Sequence, residues 1–78
     1  MSIIFISVDQ KIHHSIICKN TDIFAKIENK LYDEMPEYRD TNNFFMIGSR
    51  VINKYRSLEE NNINNSDIIL LKQYDEED

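Results

Sequence analysis

Glycine, proline and cysteine occur once each in this chain, and tryptophan not at all. One glycine cannot build the glycine-rich loop that cradles a phosphate. A lone Cys18 leaves no internal disulfide, and no Cys/His spacing matches a structural zinc site, so neither metal nor other cofactor is expected. Basic residues are also scarce: nine Lys and Arg stand against fourteen Asp and Glu, for a net charge of −5. They are scattered rather than clustered, and phosphate-backbone binding depends on clusters, so no nucleic-acid partner is expected. No apolar run approaches the roughly 20 residues of a membrane span, and MSIIFISV has neither a basic n-region nor a small-residue cleavage site. The expected setting is soluble, reducing and cytoplasmic, with no membrane partner.

What is present is a supply of isoleucine and phenylalanine within a 41% apolar composition. Burying such a side chain contributes about 1.5–3 kcal/mol, so 78 residues suffice for one packed core without staples. Ser2 to Val8 is a β-branched and aromatic run bounded by the polar turn Asp9-Gln10-Lys11, which predicts a first strand. Ile12, His14, Ile16 and Cys18 then alternate with outward residues at period two, a second strand making an antiparallel hairpin with the first. Asn20-Thr21-Asp22 offers three candidate N-caps, and Phe24, Ile27 and Leu31 recur at helical spacing, with Ile23 and Met35 widening the stripe. Pro36 disfavours helical geometry before it, so the helix is expected to end at Glu34 or Met35.

A polar connection follows over Glu37 to Asn43, with room for one 3₁₀ turn. Phe44 to Ile47 reads as a third strand, Gly48-Ser49 as a tight turn and Arg50 to Ile52 as a short fourth strand. Ser57-Leu58-Glu59-Glu60 can open a helical turn, and Asn64 to Asp67 has turn chemistry. Ile68 to Gln73 is the last strand. The expected layout is a domain over residues 1–73 and an acidic tail over 74–78, with an α+β fold: a ββαββ mixed sheet with one helix packed across one face.

That order resembles the ubiquitin-like β-grasp family. The resemblance rests on the Thr21-Asp22 helix start, the Phe24/Ile27/Leu31 stripe, Gly48 after the third strand and the Leu58-x-x-Asn61-Asn62-Ile63 loop, in matching order from Met1 to about Lys72. It implies a core of Ile3, Phe5, His14, Ile16, Cys18, Phe24, Ile27, Leu31, Phe44, Val51, Leu58, Ile63, Ile69 and Leu71. Conjugated members of the family resemble one another in an exposed C-terminal Gly-Gly, where this sequence has Asp75-Glu76-Glu77-Asp78. Ser49 and Asn65 stand where two prominent chain-building lysines would be. The resemblance therefore implies a divergent, non-conjugating member. Two alternatives stay open: a modifier precursor whose Gly-Gly lies further on, and a small protein similar to the ubiquitin-like component of type VII secretion systems in Gram-positive bacteria.

No residue group calls for catalysis. Adjacent residues of a strand point to opposite faces, so His13 and His14 cannot share one metal, and an inward Cys18 behaves as a small apolar group. Glu59-Glu60 and the acidic end lack a partner base. The expectation is a non-enzyme.

The candidate site is a surface. The first strand is apolar on both faces, although a half-solvated antiparallel sheet should show polar residues outward. With Ile3 and Phe5 facing the helix, Ile4, Ile6 and Val8 face away. The same parity puts Phe45 and Ile47 outward, with Ile68 and Leu70 beside them. The predicted protein-binding residues are Ile4, Ile6, Phe45, Ile68, Leu70 and Lys72. The family resemblance places Phe45 and Leu70 on its docking surface and Lys72 where that surface is normally apolar. The partner is another protein, or a second copy through the same face. The competing reading is a strand parity off by one, which would return some of these side chains to the core.

Overall fold

The structure, a computed structural model, describes residues 1–74; residues 75–78, the acidic stretch of the expected tail, lie outside the described residues. Five strands and one helix follow in the order β1 (Ser2–Ser7), β2 (His13–Ile17), α1 (Phe24–Glu34), a 3₁₀ turn (Pro36–Tyr38), β3 (Asn43–Ile47), β4 (Arg50–Val51) and β5 (Ile68–Gln73). The strands form one mixed sheet in the spatial order β2-β1-β5-β3-β4. β1 and β5 run parallel in the middle, and the remaining pairs are antiparallel. This is the α+β, β-grasp arrangement that the sequence predicts.

The helix is held over one face of the sheet by its apolar stripe. Phe24, Ile27 and Leu31 are fully buried with Ile3, Phe5, Phe45, Leu58 and Ile69. Three rings form the centre: Phe5, Phe24 and Phe45, with centroids 5.1–6.0 Å apart at tilted and edge-on angles, the arrangement aromatic quadrupoles favour. The helix stops where expected, before Pro36. Its start is built differently from the prediction. Asp22 does not cap the helix; its carboxylate accepts the Lys19 N–H instead. The first helical N–H groups of Phe24 and Ala25 donate to the carbonyls of Arg56 and Lys54, so a neighbouring loop does the work of a cap.

That loop has its own scaffold in Asn61. Its side chain accepts the Asn53 N–H and donates to the carbonyls of Asn53 and Ser57 at 2.9 and 3.0 Å. Ser57 and Glu60 form a reciprocal capping box, each side chain accepting the other's main-chain N–H. At the β3–β4 turn Gly48 has φ +59, a conformation costly for other residues.

The expected core needs correction at three positions. Phe44, Val51 and His14 are not buried, while Phe45, Ile52, Ile12 and Tyr32 are. β3 is turned over relative to the prediction. Its neighbour β5 decides this: Leu71 faces the helix and pairs with Phe45, so Phe45 shares its face and Phe44 takes the other, beside Lys72. The β4 hairpin follows, pairing Met46 with Val51 on the open face and placing Ile52 inward. Ile47, expected outward, packs against the core. His14 sits at the sheet edge, with Nε2 2.6 Å from Glu34 Oε1 at the end of the helix.

Candidate functional site

In a paired sheet, residues opposite one another share a face. The open face can therefore be laid out in rows from the observed registers. One row runs His13, Ile6, Leu70, Met46, Val51; a second runs Ser15, Ile4, Ile68; a third joins Phe44 to Lys72. Ile68 and Val51 are 54% and 59% exposed, and Ile4, Ile6, Leu70, Phe44, Met46 and Lys72 are half-buried. Ile17, on the edge strand, is 80% exposed.

Five of the six predicted residues thus lie on the open face: Ile4, Ile6, Ile68, Leu70 and Lys72. Phe45 does not. It is 0% exposed, and the outward aromatic of β3 is Phe44, whose ring lies tilted against that of Tyr74, with centroids 4.6 Å apart. Phe44, Met46 and Val51 are the surface residues that sequence reasoning missed. The signal that could have found them is the register of a two-residue hairpin turn, which ties Phe45 to Ile52 and Met46 to Val51, combined with the inward position of Leu71.

Charge is segregated around this face. None of the five strands contains Asp or Glu. The described acidic residues lie on the helix and in the connections, leaving Lys72 and His13 as the charged or titratable members of the rows above. The face is apolar with a weakly basic margin on an acidic protein.

A second feature lies where β4 ends. A cleft of about 370 Å³ opens between Phe44, Tyr74 and Val51 on one side and Glu28, Tyr32 and Asn43 on the other, with Arg39 and Lys54 also lining it. A polar network forms its inner wall. The Tyr32 hydroxyl donates to Glu28 Oε2 at 2.5 Å, Asn43 Nδ2 donates to the Tyr32 oxygen at 2.8 Å, and Lys54 Nζ lies 3.3 Å from Glu28. Arg39 sits 5.9 Å over the Tyr32 ring and pairs with Asp33 at 2.7 Å. Burial, then the hydrogen bond to the Glu28 carboxylate, push the Tyr32 phenol well above its ordinary range, so it stays a hydroxyl donor.

The remaining reactive group is Cys18, buried at the end of β2. Burial raises its thiol above the ordinary value, which disfavours the nucleophilic thiolate. Among the described residues no three His, Cys, Asp or Glu side chains come together as a metal site, and no helix is long and apolar enough to cross a membrane. No protein-family model matches the sequence, and no curated protein matches it.

Proposed function

We propose that this chain is a non-enzymatic, non-conjugating interaction domain of the ubiquitin-like kind, which binds another protein through the open face of its sheet. The observation that carries the reading is the apolar, acid-free open face of a sheet whose other face is already filled by the helix and core. Ile4, Ile6, Ile68 and Leu70 form its centre, with Phe44 and Met46 extending it and Lys72 at its margin. Exposed apolar patches of this kind on small domains mark interaction sites, and large side chains near the centre of a small interface carry most of its energy. The buried, raised-pKa state of Cys18 and Tyr32 supports a binding role over a nucleophilic one. The fold and the ordered resemblance support the ubiquitin-like assignment, and a cytoplasmic location goes with that reading.

The test compares wild type with Ile68→Asp and Leu70→Asp in cross-linking within cells of the source organism, after melting curves show both variants folded. The expected result is one set of partner adducts present with wild type and lost with both variants. Adducts that persist in both variants would overturn the reading. Sedimentation of the purified protein over a range of concentrations separates the self-association alternative, in which wild type dimerises and both variants do not. Denaturing gels of the intact gene product separate the modifier alternative, in which a ladder of covalent adducts survives.

A further inference from the structure

The cleft beside β4 exists because the chain leaves the sheet early. β4 is two residues long, and after Ile52 the main chain turns toward the helix, where Lys54 O accepts the Ala25 N–H. The position opposite Asn43, which Lys54 would have occupied in a longer hairpin, is therefore not filled by a strand. The hydrogen-bond pattern fixes which way Asn43 points. The Tyr74 N–H donates to Asn42 O and the Ile52 N–H to Phe45 O, so even-numbered residues of β3 turn their main chain toward β5 and odd-numbered ones toward β4. Asn43 is odd. Its N–H and C=O face the cleft, and among the described residues no main-chain group meets them there. Yet Asn43 is 6% exposed. Buried main-chain donors and acceptors need partners, and a strand edge supplies both to an incoming chain at once.

The side-chain surroundings say what that chain carries. A residue opposite Asn43 would share its inner face and project toward the Lys54 ammonium, paired at 3.3 Å with Glu28, and the Arg39 guanidinium, paired at 2.7 Å with Asp33; an incoming carboxylate would share these two cations with the carboxylates they already hold. Its two neighbours would fall on the open face, against Phe44, Val51 and Tyr74, a setting for apolar side chains. We propose that the cleft is a peptide-binding site, taking an extended segment that prolongs the line of β4 antiparallel to β3, with an acidic residue opposite Asn43 between two apolar ones. The site shares Phe44 and Val51 with the margin of the open face but not its centre at Ile4, Ile68 and Leu70.

The probe is the peptide acetyl-Thr-Val-Glu-Val-Thr-amide, titrated into the ¹⁵N-labelled full chain and followed by amide shifts and hydrogen exchange. The control replaces its Glu with Lys. The expected result is shifts at Asn43, Phe44, Val51 and Lys54, slowed exchange of the Asn43 N–H, and binding at least about fivefold tighter for the Glu peptide than for the Lys peptide. Arg39→Ala and Val51→Asp, both at exposed positions, should keep the wild-type spectrum elsewhere and weaken the Glu peptide by a similar factor. Equal binding of the two peptides, shifts confined to Ile4, Ile68 and Leu70, or no shift at millimolar peptide would each overturn the proposal.

Discussion

Replacing Phe45 and Phe44 separately with alanine measures the orientation of β3. Phe45 is fully buried, with its ring 5.1 Å from Phe24 and 5.7 Å from Phe5. Truncating such a ring costs about 3–5 kcal/mol, from lost transfer energy and the cavity left behind. A chain of 78 residues has roughly 4–12 kcal/mol of stability in all, so Phe45→Ala leaves a marginal domain. Phe44 is half-buried on the open face, and its main ring contact is Tyr74 at 4.6 Å. An aromatic pair is worth about 0.5–1.5 kcal/mol beyond its area, so Phe44→Ala should cost about 1–2 kcal/mol. Urea unfolding with an unchanged slope should separate the two variants by about 2–3 kcal/mol. At roughly 4–8 °C per kcal/mol, the Tm of Phe45→Ala should fall by at least about 12 °C and that of Phe44→Ala by less. Equal losses, or a larger loss for Phe44→Ala, would refute the argument that Leu71 fixes the register and hence the face.

Asn61→Ala should cost about 1–2 kcal/mol in urea unfolding, since it leaves the Asn53 N–H without its acceptor, while the Asn53 and Ser57 carbonyls keep the N–H groups of Arg56 and Asn61; a loss near zero would show that water replaces the side chain freely. Gly48→Ala places no atom within 4 Å of the new Cβ but forces alanine to φ +59, so its cost should be about 1 kcal/mol from backbone strain alone, with Gly48→Asn cheaper. Acid should destabilise the fold through three carboxylates held below their ordinary values, Asp9 and Glu60 exposed and Asp22 partly buried: Asp9 chiefly by the Ser7 hydroxyl, Asp22 by the Lys19 N–H and Glu60 by the Ser57 N–H. The unfolded chain binds more protons at these sites. Their contribution is therefore complete above the ordinary values of 3.8 for Asp and 4.5 for Glu and is lost as pH falls below them. Urea midpoints across the acid range should flatten in a variant carrying Asp9→Asn, Asp22→Asn and Glu60→Gln.

The elements that the sequence resolves well are those with one strong period or one strong breaker. Phe24, Ile27 and Leu31 define the helix face, Pro36 ends it, and the alternation through Ile12, Ile16 and Cys18 sets the inward side of β2. β3 is different. Phe44-Phe45-Met46-Ile47 is apolar at every position, so hydrophobicity alone gives no parity, and the choice falls to a partner strand distant in sequence. His14 differs for a related reason: alternation points it inward, but β2 is an edge strand and its inner side there opens onto Glu34 at the helix end. Most of the open face was legible because β1 and β5 flank one another in register and both are apolar outward. The cleft was not, because it arises from Tyr32, Asn43 and Lys54, separated in sequence and brought together only where the chain departs from β4.

The parallel pairing of β1 with β5 has a mechanical meaning. Met1 and Tyr74 lead out from opposite ends of the two central strands, whose register runs from Ile4–Ile68 to Ser7–Leu71. A force drawn between the chain's two ends therefore slides these strands past each other along their length and loads the whole ladder together, rather than peeling it open one bond after another. A domain threaded this way should resist being pulled apart by a translocating motor gripping one end far better than its modest size would indicate. Unravelling should begin only once the central pair gives way.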